Sequence, residues 1–259
     1  MSSELLAVRG LTRRFGGLIA LNNLSFSVQE GEIIGLIGPN GAGKTTAFNA
    51  ITGTVPPSSG TVHFNGINIS GGPPSRVVAA GLARTFQSTS TYPNETVAEN
   101  VYRGMLSRIA GSAVGLLTGR RNRNLSPTSI PAEIDQILGV TDLQSWRNAA
   151  AGSLPYGLQK KLGIAVALAT QPRMLLLDEP AAGLNHEECR DLTRLLRRLR
   201  DDGLTLLLVE HHMALVMDLC HRIVVLVQGE KIAEGTPEQI SQDPAVIEAY
   251  LGAPDYAHA

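Results

Sequence analysis

One short run limits what this chain can fold into more than any other. It is Gly38-Pro39-Asn40-Gly41-Ala42-Gly43-Lys44-Thr45-Thr46, which fits the pattern G-x-x-x-x-G-K-[ST] at every fixed position. Its surroundings fit too. Glu32 to Ile37 reads as an apolar strand ending in glycine, and Thr45 to Ile51 reads as a helix. Glycines let the backbone between them wrap an anion without Cβ clashes, so that several N–H groups point at one phosphate. The helix N-terminus adds partial positive charge. Lys44 is placed to reach the β- and γ-phosphates of a nucleotide, and the Thr45 hydroxyl to ligate Mg²⁺.

A second run, Met174-Leu175-Leu176-Leu177-Asp178-Glu179-Pro180, reads as a buried strand that delivers two adjacent acids. Taken alone, such a pair is an ordinary solvated loop start. Beside a phosphate loop it gains a purpose. Asp178 would hold Mg²⁺ through water, and Glu179 would orient and deprotonate the attacking water. Neighbours on a strand face opposite ways, so two adjacent acids can do different work.

The rest of the chain sets limits. Of 259 residues, 43% are apolar and 17% charged, which suits a folded globular chain. The net charge of -1 gives no electrostatic case for a nucleic-acid partner. No apolar run approaches the roughly 18 residues that span a bilayer, and the N-terminus shows no signal-peptide pattern. Two cysteines, Cys189 and Cys220, make no disulfide framework and fit a reducing cytoplasm.

Leu5 to Val8, Leu24 to Val28 and Thr61 to Phe64 read as strands. From Arg173 onward, strands at 174–178, 204–209 and 223–227 alternate with helices at 187–200 and 213–219, which argues for a mostly parallel sheet covered on both faces. Residues 88–171 read as a helical lobe. It carries a long loop that includes a Gly/Ser-rich stretch at 111–119 and a basic patch at 120–124.

These motifs, in this order, resemble the ATP-binding subunits of ABC transporters from about Leu5 to Leu251. Four further features carry the resemblance. Gln87, in Arg84-Thr85-Phe86-Gln87, looks like the Q-loop glutamine, which in the family touches Mg²⁺ and the attacking water. His211 looks like the switch histidine that contacts the γ-phosphate, and is preferred by position over His212. Phe15 sits where the family stacks an aromatic on adenine, although a core role is open to it. Ala181-Ala182-Gly183-Leu184-Asn185 sits at the D-loop position, with Asn185 in place of the usual aspartate.

Within the family the chain looks most like the Liv-type ATPases of branched-chain amino-acid importers. They share the opening Arg14 to Gly17, the run Asp178 to Asn185 and the ending Ala249-Tyr250-Leu251-Gly252. The resemblance implies a P-loop NTPase fold: a mixed-sheet core with an antiparallel β subdomain (1–87 and 172–259) and an inserted α-helical subdomain (88–171). It implies ATP and Mg²⁺, with Thr45, Gln87 and Asp178 as metal residues. It implies a second ABC ATPase subunit, transmembrane permease subunits and, indirectly, a substrate-binding protein. It also implies a peripheral place on the cytoplasmic face of the membrane. Other readings are an ATPase of another importer or a lipid exporter, or a low-turnover regulatory subunit.

The chain departs from the family at its signature, usually Leu-Ser-Gly-Gly-Gln, which faces ATP bound to the opposite subunit. Here it reads Leu154-Pro155-Tyr156-Gly157-Leu158. Pro155 supplies neither a hydroxyl nor an N–H. Either the remaining amides suffice, or the ATP site this signature completes turns over slowly. Proline suits a helix start, so the helix dipole and the Gly157 N–H are expected to remain.

Overall fold

The computed structural model describes residues 3–85, 91–109 and 129–251. The strands are β1 (Glu4–Phe15), β2 (Leu18–Gln29), β3 (Ile33–Ile37), β4 (Ser59–Phe64), β5 (Ile67–Asn68), β6 (Leu82–Arg84), β7 (Met174–Asp178), β8 (Thr205–Val209), β9 (Arg222–Val227) and β10 (Glu230–Gly235). The helices are α1 (Lys44–Ile51), α2 (Pro74–Ala79), α3 (Val97–Ile109), α4 (Ile130–Val140), α5 (Tyr156–Leu168), α6 (His186–Asp201), α7 (Met213–Leu219), α8 (Pro237–Gln242) and α9 (Pro244–Leu251). They form two compact units. The first is Met1–Arg84, Arg173–Ala182 and Arg200–Ala259, and the second is Thr85–Pro172 and Gly183–Leu199.

The first unit holds two sheets. One has six strands in the order β10-β9-β3-β8-β7-β6, parallel except for the antiparallel β10–β9 pair. Every residue of β3, β7 and β8 is buried, which is why these strands read as unbroken apolar runs. The other sheet is antiparallel, β2-β1-β4-β5. A shared core joins Leu6 and Leu11 of β1, Phe48 and Ile51 of α1, and Leu36 and Leu207 of the larger sheet.

β1 and β2 each run for 12 residues, well past the stretches expected from alternation. Their register shifts after Val8 and again after Leu11. Each irregularity moves the inward-facing residues out of phase, so only part of each strand alternates in sequence. β10 was not expected because its residues are largely polar; it is an edge strand with most side chains in solvent.

The second unit packs α3, α4 and α5 around Val101, Met105, Ile134, Leu138, Leu162 and Ala165. α3 crosses α5 closely at Gly104, where a Cβ would lie 2.3 Å from the Val166 carbonyl oxygen. Arg108 ties the bundle by donating to Glu133 and to the Ala169 carbonyl. The Gly/Ser-rich stretch at 111–119 and the basic patch at 120–124 lie outside the described residues.

Candidate nucleotide site

The glycine-rich loop leaves β3 and enters α1 as its pattern predicts. Gly43 caps α1 at φ +101°, and a Cβ there would meet the Ala20 carbonyl oxygen at 2.5 Å. At Gly38 the limit is a wall: a Cβ would lie 2.0 Å from the Leu226 carbonyl oxygen. The loop is held from behind, where the Gly229 N–H donates to the Ala42 carbonyl at 2.9 Å. Lys44 folds over it and donates from Nζ to the carbonyls of Gly38 (2.7 Å) and Pro39 (3.0 Å). Burial pushes the Lys44 ammonium below its ordinary pKa, against the opposing pull of Glu179 and Asp178.

This loop forms one wall of a cleft of about 680 Å³. Asn40 to Thr46 line it together with Phe15, Leu18, Ile19, Ala20, Glu179, His211 and Gln228. Phe15 is 45% exposed at the end of β1, which places it on the cleft and not in the core. The Arg13 guanidinium lies 4.4 Å from its ring centroid. Phe15, Leu18 and Ile19, all exposed, give the cleft an apolar rim.

The acids enter from β7. Asp178 ends the strand with its side chain 2% exposed, and Arg84 of β6 donates to its Oδ2 at 2.7 Å. Arg84 also donates to Asn49 Oδ1 at 2.6 Å, so it links the Asp178 carboxylate to the middle of α1. Glu179 extends the ladder by one residue, its N–H donating to the Val209 carbonyl at 2.8 Å. It then turns at φ +48°, a region a non-glycine residue rarely visits. Its Oε1 lies 3.1 Å from His211 Nε2. His212 has a different job: it caps α7, with its Nδ1 accepting from the Leu215 N–H. The structure thus brings together Lys44, Thr45, Glu179 and His211, while Gln87 and the neighbouring Phe86 lie outside the described residues.

The donors suit Mg²⁺. Thr45 offers an exposed hydroxyl in the first turn of α1, and Asp178 a carboxylate oxygen; both are hard oxygen donors. Mg²⁺ takes most of its octahedral shell from phosphates and water, so two protein oxygens are a sufficient set.

In the second unit, α5 begins at Tyr156 and Pro155 is its N-cap. Proline therefore sits one place before the N1 position it usually favours. The Pro155 carbonyl accepts the N–H groups of Leu158 and Gln159, each at 3.0 Å, and the Gln159 side chain donates to the Leu154 carbonyl at 2.9 Å. The N–H groups of Tyr156 and Gly157 belong to the first turn, which has no intrahelical acceptors for them. Tyr156 is 46% exposed and lies against Gly183, where a Cβ would come within 3.0 Å of the ring. Asn185 caps α6: its Oδ1 accepts the N–H groups of Glu187 (2.9 Å) and Glu188 (3.0 Å), and Glu188 Oε2 accepts the Asn185 N–H at 2.9 Å. Asparagine has the acceptor this cap needs without the charge of an aspartate.

Sequence reasoning missed two charged residues at the site. One is Arg84, which is partly buried, and the other is Glu210, which is buried just past β8. Both look unremarkable in sequence, because their partners lie far along the chain.

The sequence and the fold match known proteins. Residues 21–182 match the ABC transporter family, and residues 230–256 match the branched-chain amino acid ATP-binding cassette transporter family. The chain is 41% identical to the high-affinity branched-chain amino acid transport ATP-binding protein BraF of Pseudomonas aeruginosa, over 97% of this chain and 99% of BraF. It is 42% identical to LivG of Escherichia coli, named for the same transport, over 97% of this chain and 99% of LivG. Among solved structures, the ADP conformation of an ATP-binding cassette from an ABC transporter superposes with a TM-score of 0.85 at 30% identity, covering 97% of this chain and all of that one. The chain belongs to the ATP-binding cassette family of ABC transporters.

Proposed function

We propose that this chain binds ATP with Mg²⁺ and hydrolyses it, powering an importer of branched-chain or related amino acids. One observation carries the catalytic part: a single cleft joins the phosphate loop to the Glu179–His211 pair, whose side chains are 3.1 Å apart. The cargo follows from the relatives at 41–43% identity, all named for high-affinity branched-chain amino acid transport. A relative named for lipopolysaccharide export is more distant, at 32%.

Phosphoryl transfer needs positioning and charge neutralisation more than covalent help. Phe15 takes the adenine. The backbone from Gly38 to Thr46 wraps the phosphates, and the Lys44 ammonium exchanges its two loop carbonyls for phosphate oxygens. Thr45, Gln87 and Asp178, the last through water, would hold Mg²⁺, which supplies further charge neutralisation. Glu179 accepts the proton of the attacking water, and His211 with Gln87 fixes the geometry around it.

The partners are a second ATPase subunit and membrane permease subunits, with a substrate-binding protein acting through them. Among the described residues no helix is long and apolar enough to cross a membrane, so these partners would supply the passage. The chain would lie on the cytoplasmic face of the membrane. Its own signature, Leu154 to Leu158, and D-loop, Gly183 to Asn185, would meet ATP held by the second subunit. The test is purification of the tagged chain from membranes. The permease and a second cassette should co-purify, and the complex should couple ATP turnover to uptake of a branched-chain amino acid. A complex that turns over ATP but moves a lipid would overturn the cargo assignment.

A further inference from the structure

We propose that Glu210 is a positioning residue that sets the distance between Glu179 and His211 by holding the backbone of their two loops. β7 and β8 lie side by side, with Asp178 paired to Val209. Glu179 and Glu210 therefore leave the sheet at the same edge. Past the bond from the Glu179 N–H to the Val209 carbonyl at 2.8 Å, the ladder no longer holds the two loops together.

The Glu210 carboxylate does. Glu210 is 3% exposed, and its oxygens divide between the two loops. Oε1 accepts the Ala181 N–H at 2.6 Å, two residues past Glu179. Oε2 accepts the N–H of His211 at 3.0 Å and that of His212 at 3.2 Å. One carboxylate thus spans backbone segments 29 residues apart in sequence. An ionised carboxylate is acceptor-only at both oxygens, which is what three converging N–H groups require. Glutamine has the same length but only one acceptor oxygen. Its amide group would face an N–H on one loop or the other, and that loop would be released.

This inference rests on the roles proposed for Glu179 and His211, and the experiment keeps the two separate. The full-length, nucleotide-free chain is studied by NMR of its histidine imidazoles, in wild type, Glu210→Gln and Ile240→Ala. Ile240 is a buried core residue of α8 and serves as a destabilised control. The His211 resonances should shift in Glu210→Gln and hold in Ile240→Ala, whatever the turnover of the protein. In the assembled transporter, Glu210→Gln should lower turnover roughly ten- to hundredfold, the scale of one charge-assisted hydrogen bond. Its affinity for a fluorescent ATP analogue should stay within about twofold of wild type, since the phosphate loop is untouched.

Glu210→Asp covers the case in which the glutamine variant fails to fold. It keeps the charge but is one methylene short of spanning both loops, so it should shift the His211 resonances and lower turnover as well. Unchanged His211 resonances in the folded variant would overturn the proposal. So would equal losses of affinity and turnover, the pattern of general destabilisation. If the wild-type complex hydrolysed no ATP, the proposed function would fail while the NMR result still judged the role of Glu210.

Discussion

The phosphate loop and the signature segment make an instructive pair, because each leads into a helix N-terminus, at Gly43 and at Pro155. The phosphate loop is finished within the chain. Its glycines sit against fixed backbone walls at Leu226 and Ala20, and its lysine is buried with two carbonyl partners. The acids beside it are anchored by Arg84 and by the sheet itself. The signature is the opposite case. Pro155 caps its helix with no side-chain hydrogen bond, and Tyr156 is about half exposed. Its neighbours are the side chain of Glu188 and the bend at Gly183. One terminus is shaped by buried charge and backbone, the other by exposed groups. On the proposed function, this contrast would leave the chain better equipped to hydrolyse its own ATP than to complete a partner's site.

The sharpest way to break this comparison is to remove the Arg84 anchor. Arg84→Ala strands the Asp178 carboxylate at 2% exposure. Breaking such a pair costs about 3–5 kcal/mol, which urea denaturation should show as a large fall in midpoint. A fall within error would mean that Asp178 finds another partner. Next comes Lys44→Ala, which should weaken nucleotide binding about ten- to hundredfold, or roughly 1.5–3 kcal/mol by calorimetry. Unchanged affinity would detach Lys44 from the phosphates.

On the signature side the effects should be smaller. Pro155→Ser restores a capping hydroxyl, and should stabilise the chain by about 0.5–2 kcal/mol with no change in the affinity of its own ATP site. In the assembled transporter it should raise turnover. A fall in the affinity of this chain's own site would show that the two termini are not independent. Gly157→Ala should have the least effect on stability. A Cβ there meets Glu188 Oε1 at 2.6 Å, but that atom is the tip of a flexible side chain, so the cost should stay below about 1 kcal/mol.

The same contrast explains what could be read in the sequence. The phosphate loop, the buried β7 strand with its acid pair, and the alternation after Arg173 are local patterns, and local patterns are legible. The Asn185-x-x-Glu188 spacing is a capping box that sequence alone could have revealed. His212 could also have been set aside on local grounds, since it directly precedes a helix. Arg84 and Glu210 were not legible. Arg84 meets Asp178 94 residues away and Glu210 meets Ala181 29 residues away, and neither spacing follows from any periodicity. The full lengths of β1 and β2 were hidden by register shifts, and β10 by its solvent-facing edge.

The difference between the two termini is tested most directly by Glu179→Gln in this chain, set against the equivalent change in the second ATPase subunit of the assembled transporter. Turnover by the complex is measured with ATP binding monitored in parallel. Glu179→Gln should keep ATP binding and remove most of the turnover, while the partner's change removes far less. Equal losses from the two changes would contradict the account.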